Sequence, residues 1–406
     1  MATKKKNGLC YLVGAGPGDT GLLTLRGREV LGRADVVIYD HLVNRELLGF
    51  APDRAELVYA GKKSGDHTMA QDEINDRLVR ETAAGKCVVR LKGGDPFVFA
   101  RGAEECQALA AAGLAFQVVP GVSSAIAGPA YAGIPVTRRS VNSVLTIFTG
   151  HHDPEDSAAA KIYAGLGAAP GTKVMLMGVE NLAGIAAQMI TGGAAPATPV
   201  AAVRWATRGD QQVVRGCLEN IAARVKKAAM AAPAVVVFGE VADQAGALDW
   251  IAARPLFGRR IVITRSRAQA SKLSGALRDL GADVYELPLI RREAPPDLRE
   301  FGELVQDAHG YEWIVFTSAN GVDAFFEMFY KLYDDAREIG GAKFAAVGAA
   351  TAARIKEHRF HVDLVAENFH AESLAETFRE KTGVENVKML VIRPEETSGA
   401  LAAELG

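Results

Sequence analysis

Cysteine is scarce in this chain, and its few copies form no pattern. The four are Cys10, Cys87, Cys106 and Cys217. Disulfide frameworks and zinc sites need cysteines at characteristic spacings, so we expect free, buried thiols in a reducing cytoplasm. The pair His151-His152 is followed by no carboxylate or histidine at a ligand spacing. We therefore expect a loop there and no metal site.

An excess of one charge and a long apolar run are also missing. The 46 basic and 48 acidic residues leave a net charge of −2, which gives the whole chain no attraction for nucleic acid or an anionic membrane. No apolar run approaches the ~20 residues of a membrane span. The lysine-rich start precedes only one short strand and predicts no signal peptide. With 49% hydrophobic residues over 406 positions, we expect a soluble protein of two or three domains.

What the chain does have is a regular alternation of strand and helix patterns. Predicted strands fall at 9–13, 36–39, 57–60, 87–91 and 116–119, and predicted helices at 22–34, at about 72–84 and after Arg101. This alternation predicts an α/β fold with an open, largely parallel sheet.

The alternation changes twice along the chain, which suggests domain boundaries. Strands predicted at 144–148, 173–177, 200–204, 212–218 and 234–238 are separated by fewer long helices, which favours an antiparallel or mixed sheet. Residues 255–258, Pro-Leu-Phe-Gly, are a plausible linker. Alternation then starts afresh, with strands predicted at 260–264, 284–287, 313–317, 344–347 and 388–392. We thus predict lobes at 1–135 and 136–254 and a further α/β domain at 259–406.

The stretch 88–105 carries the strongest local signal. An apolar strand breaks at Gly93-Gly94, and Pro96 holds Asp95 in an extended conformation at the end of that strand. Ligands of open α/β sheets bind outside the carboxyl ends of the strands, where this loop falls. A structural Gly-Gly turn fits the pattern equally well. The helix that follows is predicted to bury one face, formed by Ala103, Cys106, Leu109 and Ala110.

The glycine-rich segment 14–19, Gly-Ala-Gly-Pro-Gly-Asp, follows the first strand and suggests a dinucleotide site. Asp40, at the end of the second strand, even stands where a ribose-binding acid is expected. The fingerprint fails because it needs glycine where this chain has Asp19. Pro17 also removes a backbone donor from the turn. A dinucleotide-dependent oxidoreductase therefore remains only as an alternative.

Five motifs occur in a specific order, at 14–19, 39–43 (Tyr-Asp-His-Leu-Val), 61–63 (Gly-Lys-Lys), 93–105 and 118–124 (Val-Val-Pro-Gly-Val-Ser-Ser). Over about residues 8–250 the chain resembles the tetrapyrrole (class III) methyltransferases, and among them those that methylate uroporphyrinogen III at carbon. The resemblance implies a two-lobed tetrapyrrole methylase fold with S-adenosylmethionine in the cleft. It implies two methyl transfers that give precorrin-2 for sirohaem or cobalamin. We expect the tetrapyrrole as small-molecule partner and a homodimer formed through this part.

The resemblance implies nine cofactor-binding positions. They are Pro17, Gly93, Gly94, Asp95, Val98, Ser123, Ser124, Met177 and Ala206. Asp95 would supply an acid, and Val98 and Met177 would line an apolar slot for adenine. The family's usual Thr-Ala is Ser-Ser at 123–124, which keeps a hydroxyl. Ala206 would contact the cofactor through its backbone.

The family's proton-transfer residues fall on Asp40 and Lys62, and Arg101 and Glu104 are implicated in substrate binding and deprotonation. The pKa of arginine stays above about 12, so we expect Arg101 to anchor substrate carboxylates and Asp40 to be the base. Cations that could meet these carboxylates are Lys62, Lys63, Lys92, Arg101, Arg138 and Arg139. For Lys63, Arg138 and Arg139 a solvated face is the simpler interpretation.

From about residue 259 the chain resembles uroporphyrinogen-III synthase, on motifs at 263–265, 281–284, 315–322 and 346–348. The resemblance implies two α/β lobes, the second inserted into the first, that act on hydroxymethylbilane. We expect this segment to be incomplete and inactive by itself, and the methyltransferase to be active without it. Alternatives of the same class are a methyltransferase acting on RNA or on another tetrapyrrole intermediate. A carrier that binds a tetrapyrrole without turnover is a further alternative.

Overall fold

A computed structural model of the chain divides it into two compact units, Met1–Ile290 and Arg291–Gly406, each with its own sheets and core. The structure describes residues 8–61, 69–243, 248–265, 267–287, 289, 293–366, 371–381 and 387–394.

Five parallel strands form the first sheet of the larger unit. They are β1 (Leu9–Gly14), β2 (Val36–Tyr39), β3 (Glu56–Tyr59), β4 (Cys87–Lys92) and β5 (Ala115–Val119). Their spatial order is β3-β2-β4-β1-β5. The helices of this lobe are α1 (Leu25–Leu31), α2 (Gln71–Ala83), α3 (Gly102–Ala111) and α4 (Ser124–Tyr131). The predicted open parallel sheet is confirmed, and each strand lies within one residue of its predicted bounds.

Apolar layers cover both faces of this sheet. On one face Val13, Val37 and Leu91 belong to one buried cluster, and on the other Leu12 and Ile38 belong to a second. Because the central strands are buried on both faces, their sequences are continuous apolar runs instead of alternating ones. Two residues break that rule, since Arg90 and Lys92 lie in β4 and are each 2% exposed.

Two helices differ from their predictions. The helix predicted at 22–34 begins only at Leu25, after a short 3-10 turn at Thr20–Leu22. The Thr24 hydroxyl accepts from the Gly27 N–H at 3.0 Å and caps the helix there.

The apolar face predicted for α3 is wrong in part, as the exposure of four residues shows. Cys106 is buried, whereas Ala103 and Ala110 are exposed and Glu105 is buried in their place. The cause is electrostatic, since two cations of β4 bind the Glu105 carboxylate.

The second sheet of the larger unit is mixed, as predicted. Its strands are β6 (Leu145–Thr149), β7 (Thr172–Leu176), β8 (Pro199–Arg204), β9 (Gln212–Cys217) and β10 (Ala234–Phe238), in the spatial order β6-β7-β10-β8-β9. β6 pairs with β7 in parallel, and the other three pairings are antiparallel. Its helices are α5 (Ser157–Ala168), α6 (Leu182–Thr191) and α7 (Ile221–Lys227). Because β7 and β8 both run antiparallel to β10, they run parallel to each other.

A small parallel pair, β11 (Arg260–Ile263) and β12 (Asp283–Glu286), is joined by α8 (Arg267–Asp279). It belongs to the same compact unit as the two larger sheets. The Gly258 N–H donates to the Gly209 carbonyl at 3.1 Å. The compact unit therefore continues past the linker predicted at 255–258.

The smaller unit contains a parallel sheet in the order β15-β14-β13-β16. The strands are β13 (Trp313–Phe316), β14 (Lys343–Ala346), β15 (Leu364–Val365) and β16 (Met389–Ile392), and the helices are α9 (Leu298–Gln306), α10 (Ala319–Leu332), α11 (Ala349–Glu357) and α12 (Ala371–Lys381). Phenylalanines dominate its core, with Phe316, Phe325, Phe326 and Phe329 fully buried. Over the described ranges, no helix has the length and apolar character needed to cross a membrane.

Candidate active site

The predicted site residues of the first lobe follow strands that end at one edge of the sheet. β1, β2, β4 and β5 are parallel, so the loops that follow them meet at the carboxyl edge. These loops carry Pro17, Asp40, Gly93 and Ser123. Parallel topology therefore brings together residues that are far apart in the sequence, at the edge where such sheets bind ligands.

Backbone contacts hold three of these loops against one another. Gly94 donates its N–H to the Gly16 carbonyl at 2.8 Å, and Gly16 donates in return to Gly94 at 3.2 Å. A Cβ at Gly14 would lie 2.4 Å from the Cα of Gly121, which no side chain tolerates. Gly94 also has a φ of +69°, in the region that favours glycine. The loops after β1, β4 and β5 therefore form one backbone-to-backbone platform.

The Asp95 carboxylate ties this platform together. One oxygen accepts the N–H of Phe97 at 2.8 Å, and the other accepts the N–H of Gly121 at 3.0 Å. Its position at the carboxyl edge of the sheet is the predicted one, but neither oxygen is free of protein contacts. A cofactor ammonium would have to share an oxygen that already orders a loop.

The start of α4 offers donors to a ligand. The Ser123 hydroxyl accepts from the Ala125 N–H at 3.3 Å and caps the helix. Within the described part of the chain, the N–H groups of Ser123 and Ser124 make no hydrogen bond. Unpaired N–H groups at a helix start suit a carboxylate, such as that of a methionine moiety. The platform thus fits the cofactor that the sequence predicts.

Asp19 joins the first lobe to the second. Its N–H donates to the Thr207 hydroxyl at 2.9 Å, and its carboxylate accepts from the Tyr131 hydroxyl at 2.7 Å. Burial and this carboxylate together raise the pKa of Tyr131. Val98, from the β4 loop, packs against the second lobe's core cluster, which contains Ala206. The residue that breaks the dinucleotide fingerprint is therefore a link between lobes.

The glycine-rich loop also lacks the geometry of a dinucleotide site. It leads from β1 into the 3-10 turn at Thr20–Leu22, and α1 begins only at Leu25. A pyrophosphate at this loop would not meet the start of the following long helix, as the Rossmann motif requires.

Strained and exposed side chains surround the lobe junction. Phe99, Arg101 and Met177 have φ values of 52°, 60° and 55°. Such left-handed conformations cost about 1–3 kcal/mol each and cluster at functional sites. Phe97, Phe99 and Met177 are also 57%, 44% and 54% exposed. A bulky, apolar rim of this kind suits a flat organic ligand.

Arg101 and Glu104 bind each other at this rim. Arg101 Nε lies 2.9 Å from Glu104 Oε1, and a second guanidinium nitrogen pairs with Oε2. The hydrogen bond to Arg101 lowers the pKa of Glu104. Both side chains are about half exposed, at 57% and 48%, so water screens the pair strongly. Arg101 can therefore exchange this partner for a ligand carboxylate at little cost.

Asp40 is held by buried charges that the sequence analysis missed. Its Oδ1 accepts from Arg90, whose Nε donates to Glu105 Oε1 at 2.9 Å, and Lys92 Nζ lies 2.8 Å from the same oxygen. Arg90, Lys92 and Glu105 have side chains only 3%, 2% and 0% exposed. Burial and Arg90 lower the pKa of Lys92, against the opposing effect of Glu105. Arg90 and Lys92 stand out in the sequence as charges inside an apolar strand, and that signal could have identified the cluster.

Of the cations predicted for the site, one is buried and two lie outside the described residues. The suggestion that Lys92 meets substrate carboxylates is wrong, because its amine is buried against Glu105. Lys62, predicted to take part in proton transfer, lies outside the described residues, as does Lys63.

All four cysteines are free thiols, as expected. Cys10 and Cys106 are buried, whereas Cys87 and Cys217 are half-buried. Burial is the main cause that raises the pKa of Cys10 to about 12, so this thiol is unreactive at neutral pH.

Comparisons with known proteins define the class. The model of the family Tetrapyrrole (Corrin/Porphyrin) Methylases matches residues 9–222, more than half of the chain. The chain belongs to this family. A second model, Uroporphyrinogen-III synthase HemD, matches residues 271–406.

Individual relatives support both matches. "Porphyrin biosynthesis protein HemD" of Ruminiclostridium josui is 37% identical over 386 residues, which are 95% of this chain and 76% of that protein. "Uroporphyrinogen-III C-methyltransferase" of Bacillus subtilis (strain 168) is 39% identical over 360 residues, 89% and 74% of the two chains. The crystal structure of uroporphyrin-III C-methyl transferase from Thermus thermophilus, complexed with S-adenyl homocysteine, has a TM-score of 0.50 and 37% identity over 58% of this chain and 94% of that one.

Proposed function

We propose that this chain uses S-adenosylmethionine to methylate uroporphyrinogen III twice at carbon, giving precorrin-2. The observation that carries the proposal is the platform of loops after β1, β4 and β5, which is tied to the second lobe through Asp19. Membership of the tetrapyrrole methylase family and the name of the Bacillus subtilis relative support the same reaction.

The cofactor would lie across this platform. Pro17, Gly93, Gly94 and Asp95 would face it from the first two loops, and the unpaired N–H groups at 123–124 would receive its carboxylate. On the side of the second lobe, Val98, Met177 and Ala206 would border its adenine. S-adenosylmethionine supplies an electrophilic methyl group on its sulfonium when bound.

Substrate positioning and proton removal would fall to the rim and to Asp40. Arg101 would leave Glu104 and bind a substrate carboxylate through its planar fork, because bidentate pairing suits carboxylates. Asp40 is half-buried and, among the described residues, only one of its carboxylate oxygens has a partner. The second oxygen would take the proton that the pyrrole carbon loses, and Lys62 would assist.

The segment from about 259 would contribute to a uroporphyrinogen-III synthase, an enzyme that acts on hydroxymethylbilane, as its match supports. We further propose a cytoplasmic homodimer formed through the methylase lobes. Light scattering of the purified protein tests the dimer, and a monomer at micromolar concentration would contradict it.

One assay tests the central proposal. Purified protein is supplied with uroporphyrinogen III and methyl-labelled S-adenosylmethionine, and we expect two labelled methyl groups in each product molecule. A parallel titration compares S-adenosylhomocysteine with NADH, and only the former should bind. Binding of NADH alone would instead favour an oxidoreductase.

A further inference from the structure

The buried charges under Asp40 form a closed cluster with two cations and two anions. Arg90 and Lys92 lie on β4, Glu105 lies on α3, and Asp40 follows β2. The formal charges cancel, so no counter-ion from solvent is needed. Only Asp40, with a side chain 28% exposed, reaches the surface.

Arg90 uses all three guanidinium nitrogens to join these elements. One pairs with Asp40, Nε donates to Glu105, and the third donates to the carbonyl of Ile38 at 3.3 Å and to that of Leu91 at 3.4 Å. The backbone N–H of Asp40 also donates to the Leu91 carbonyl at 3.3 Å. Both the main chain and one carboxylate oxygen of Asp40 are thereby fixed to β4.

Glu105 extends this connection to the rim of the site. It lies in the first turn of α3, four residues after Arg101. One of its oxygens accepts from Arg90 and Lys92, and Gln71 donates to the same oxygen at 3.3 Å. The second oxygen is buried and has no hydrogen-bond partner among the described residues. The loop that carries Arg101 and the loop that carries Asp40 are therefore joined through a single glutamate-arginine contact.

Fold stability alone does not account for this cluster. Removing charges from water is unfavourable, and well-packed apolar residues of similar volume often replace buried ion pairs without loss of stability. An orphaned carboxylate oxygen adds to the cost. Apolar residues in these positions could not hold one oxygen of Asp40 in place while leaving its other oxygen towards the ligand edge.

We infer that Arg90, held by Glu105, is a positioning residue that orients Asp40 against the substrate and sets its distance from Arg101. This inference rests on the proposed function, in which Asp40 takes the substrate proton. Arg90 itself touches no substrate and acts through the carboxylate.

A double-mutant cycle tests the inference in the full chain. Arg90→Lys keeps the charge but loses the fork that spans Asp40 and Glu105. We expect kcat for methyl transfer to fall about 10–100-fold, since small displacements of a reacting group have effects of that size. The KM values for both substrates and the affinity for S-adenosylhomocysteine should stay within about threefold of wild type. In an Asp40→Asn background the same change should have no further effect.

Arg77→Lys is the matched control. Arg77 belongs to the same lobe and also contacts two glutamates, Glu56 and Glu81, but lies on α2. Its kcat should equal that of wild type. If Asp40→Asn alone leaves kcat unchanged, the role proposed for Asp40 fails. A different result would overturn only the positioning inference. In that case Asp40→Asn lowers kcat, but Arg90→Lys lowers kcat by the same factor in the wild-type and the Asp40→Asn proteins.

A second variant separates positioning from folding. Arg90→Met/Lys92→Met/Glu105→Leu removes every buried charge of the cluster and leaves Asp40 at the surface. We expect this variant to unfold cooperatively and to bind S-adenosylhomocysteine like wild type, with a kcat reduced at least tenfold. Wild-type kcat in this variant would overturn the inference. The inference would also be overturned if neither this variant nor Arg90→Lys folds, because the cluster would then serve folding.

Discussion

Two arginine-glutamate contacts within residues 90–105 behave in opposite ways. Arg90 and Glu105 are sealed inside the first lobe, whereas Arg101 and Glu104 form a pair on its rim with about half of each side chain exposed. The same two residue types thus give a fixed support in one place and an exchangeable contact in the other. Burial decides between these outcomes, because water screens the outer pair and is excluded from the inner one.

The largest expected difference between the two pairs is in stability. Glu105→Ala leaves Lys92 buried without its carboxylate partner and leaves Arg90 with Asp40 alone, and we expect the free energy of unfolding to fall by about 3–5 kcal/mol. Glu104→Ala removes an exposed partner and should not change that free energy measurably. Urea unfolding of both variants provides the comparison, and similar losses in the two would contradict it.

Cofactor binding should depend on the carboxylate of Asp95, which lies between Arg90 and Arg101 in the sequence. Asp95→Ala removes the contacts to Phe97 and Gly121 that order the platform, so we expect S-adenosylhomocysteine binding to weaken by about 1–3 kcal/mol. Calorimetry measures the change, with Asp72→Ala on the exposed face of α2 as the control. Unchanged affinity in Asp95→Ala would remove Asp95 from the cofactor site.

Of the two arginines, only Arg101 should affect substrate binding when it is replaced. Arg101→Lys keeps the charge and loses the planar fork, so uroporphyrinogen III should bind about tenfold more weakly, a change of about 1.4 kcal/mol. S-adenosylhomocysteine affinity should not change. Arg26→Lys is the matched control, because Arg26 forms an exposed pair with Glu29 at the same i,i+3 spacing. Normal substrate binding with a collapse of turnover would make Arg101 a catalytic group instead.

The smallest expected effect concerns a buried histidine of the smaller unit. His358, in the smaller unit, stacks on Phe326 with ring centroids 4.1 Å apart, and its Nε2 is buried with no hydrogen-bond partner in the described ranges. Burial, followed by Arg354, lowers its pKa below the usual 6.5. The unfolded chain therefore binds the proton more readily, and stability should fall as pH drops below about 6.5.

His358→Phe keeps the stack and removes this proton. Between pH 7.5 and 5.5 the unfolding temperature of wild type should fall by up to about 4 °C more than that of the variant. Calorimetric scans at the two pH values measure the difference. Equal pH dependence in both proteins would show that His358 does not titrate on unfolding.

The sequence predicted the strands well and the buried charges poorly. Runs such as 36–39 and 234–238 are apolar and short. The first is bounded by aspartates and the second by proline and glycine, so their positions agree with the structure. The face of α3 was misjudged because periodicity counts Glu105 as a surface residue. Only the tertiary structure brings Arg90 and Lys92 to it.

The site was predicted to a similar extent. The ordered motifs identified the loops, and parallel topology explains why these loops meet. Local patterns could not foretell that Asp19 bonds to Thr207, 188 residues away, or that Asp95 uses both oxygens within its own lobe. Such long-range contacts depend on how the lobes pack and have no signature in a short window of sequence.

The close approach of Gly258 to Gly209 determines how the first strands of the synthase-like segment are attached to the methylase lobes. A Cβ at Gly209 would lie 2.2 Å from the N of Asp283, and Arg278 binds Glu46 at 2.6 Å, so β12 is seated directly on the methylase. A flexible tether would let two enzymes meet at an effective concentration set by its length. Here β11 and β12 pack on the methylase lobes within one compact unit, so no tether of that kind separates these first strands from the methylase.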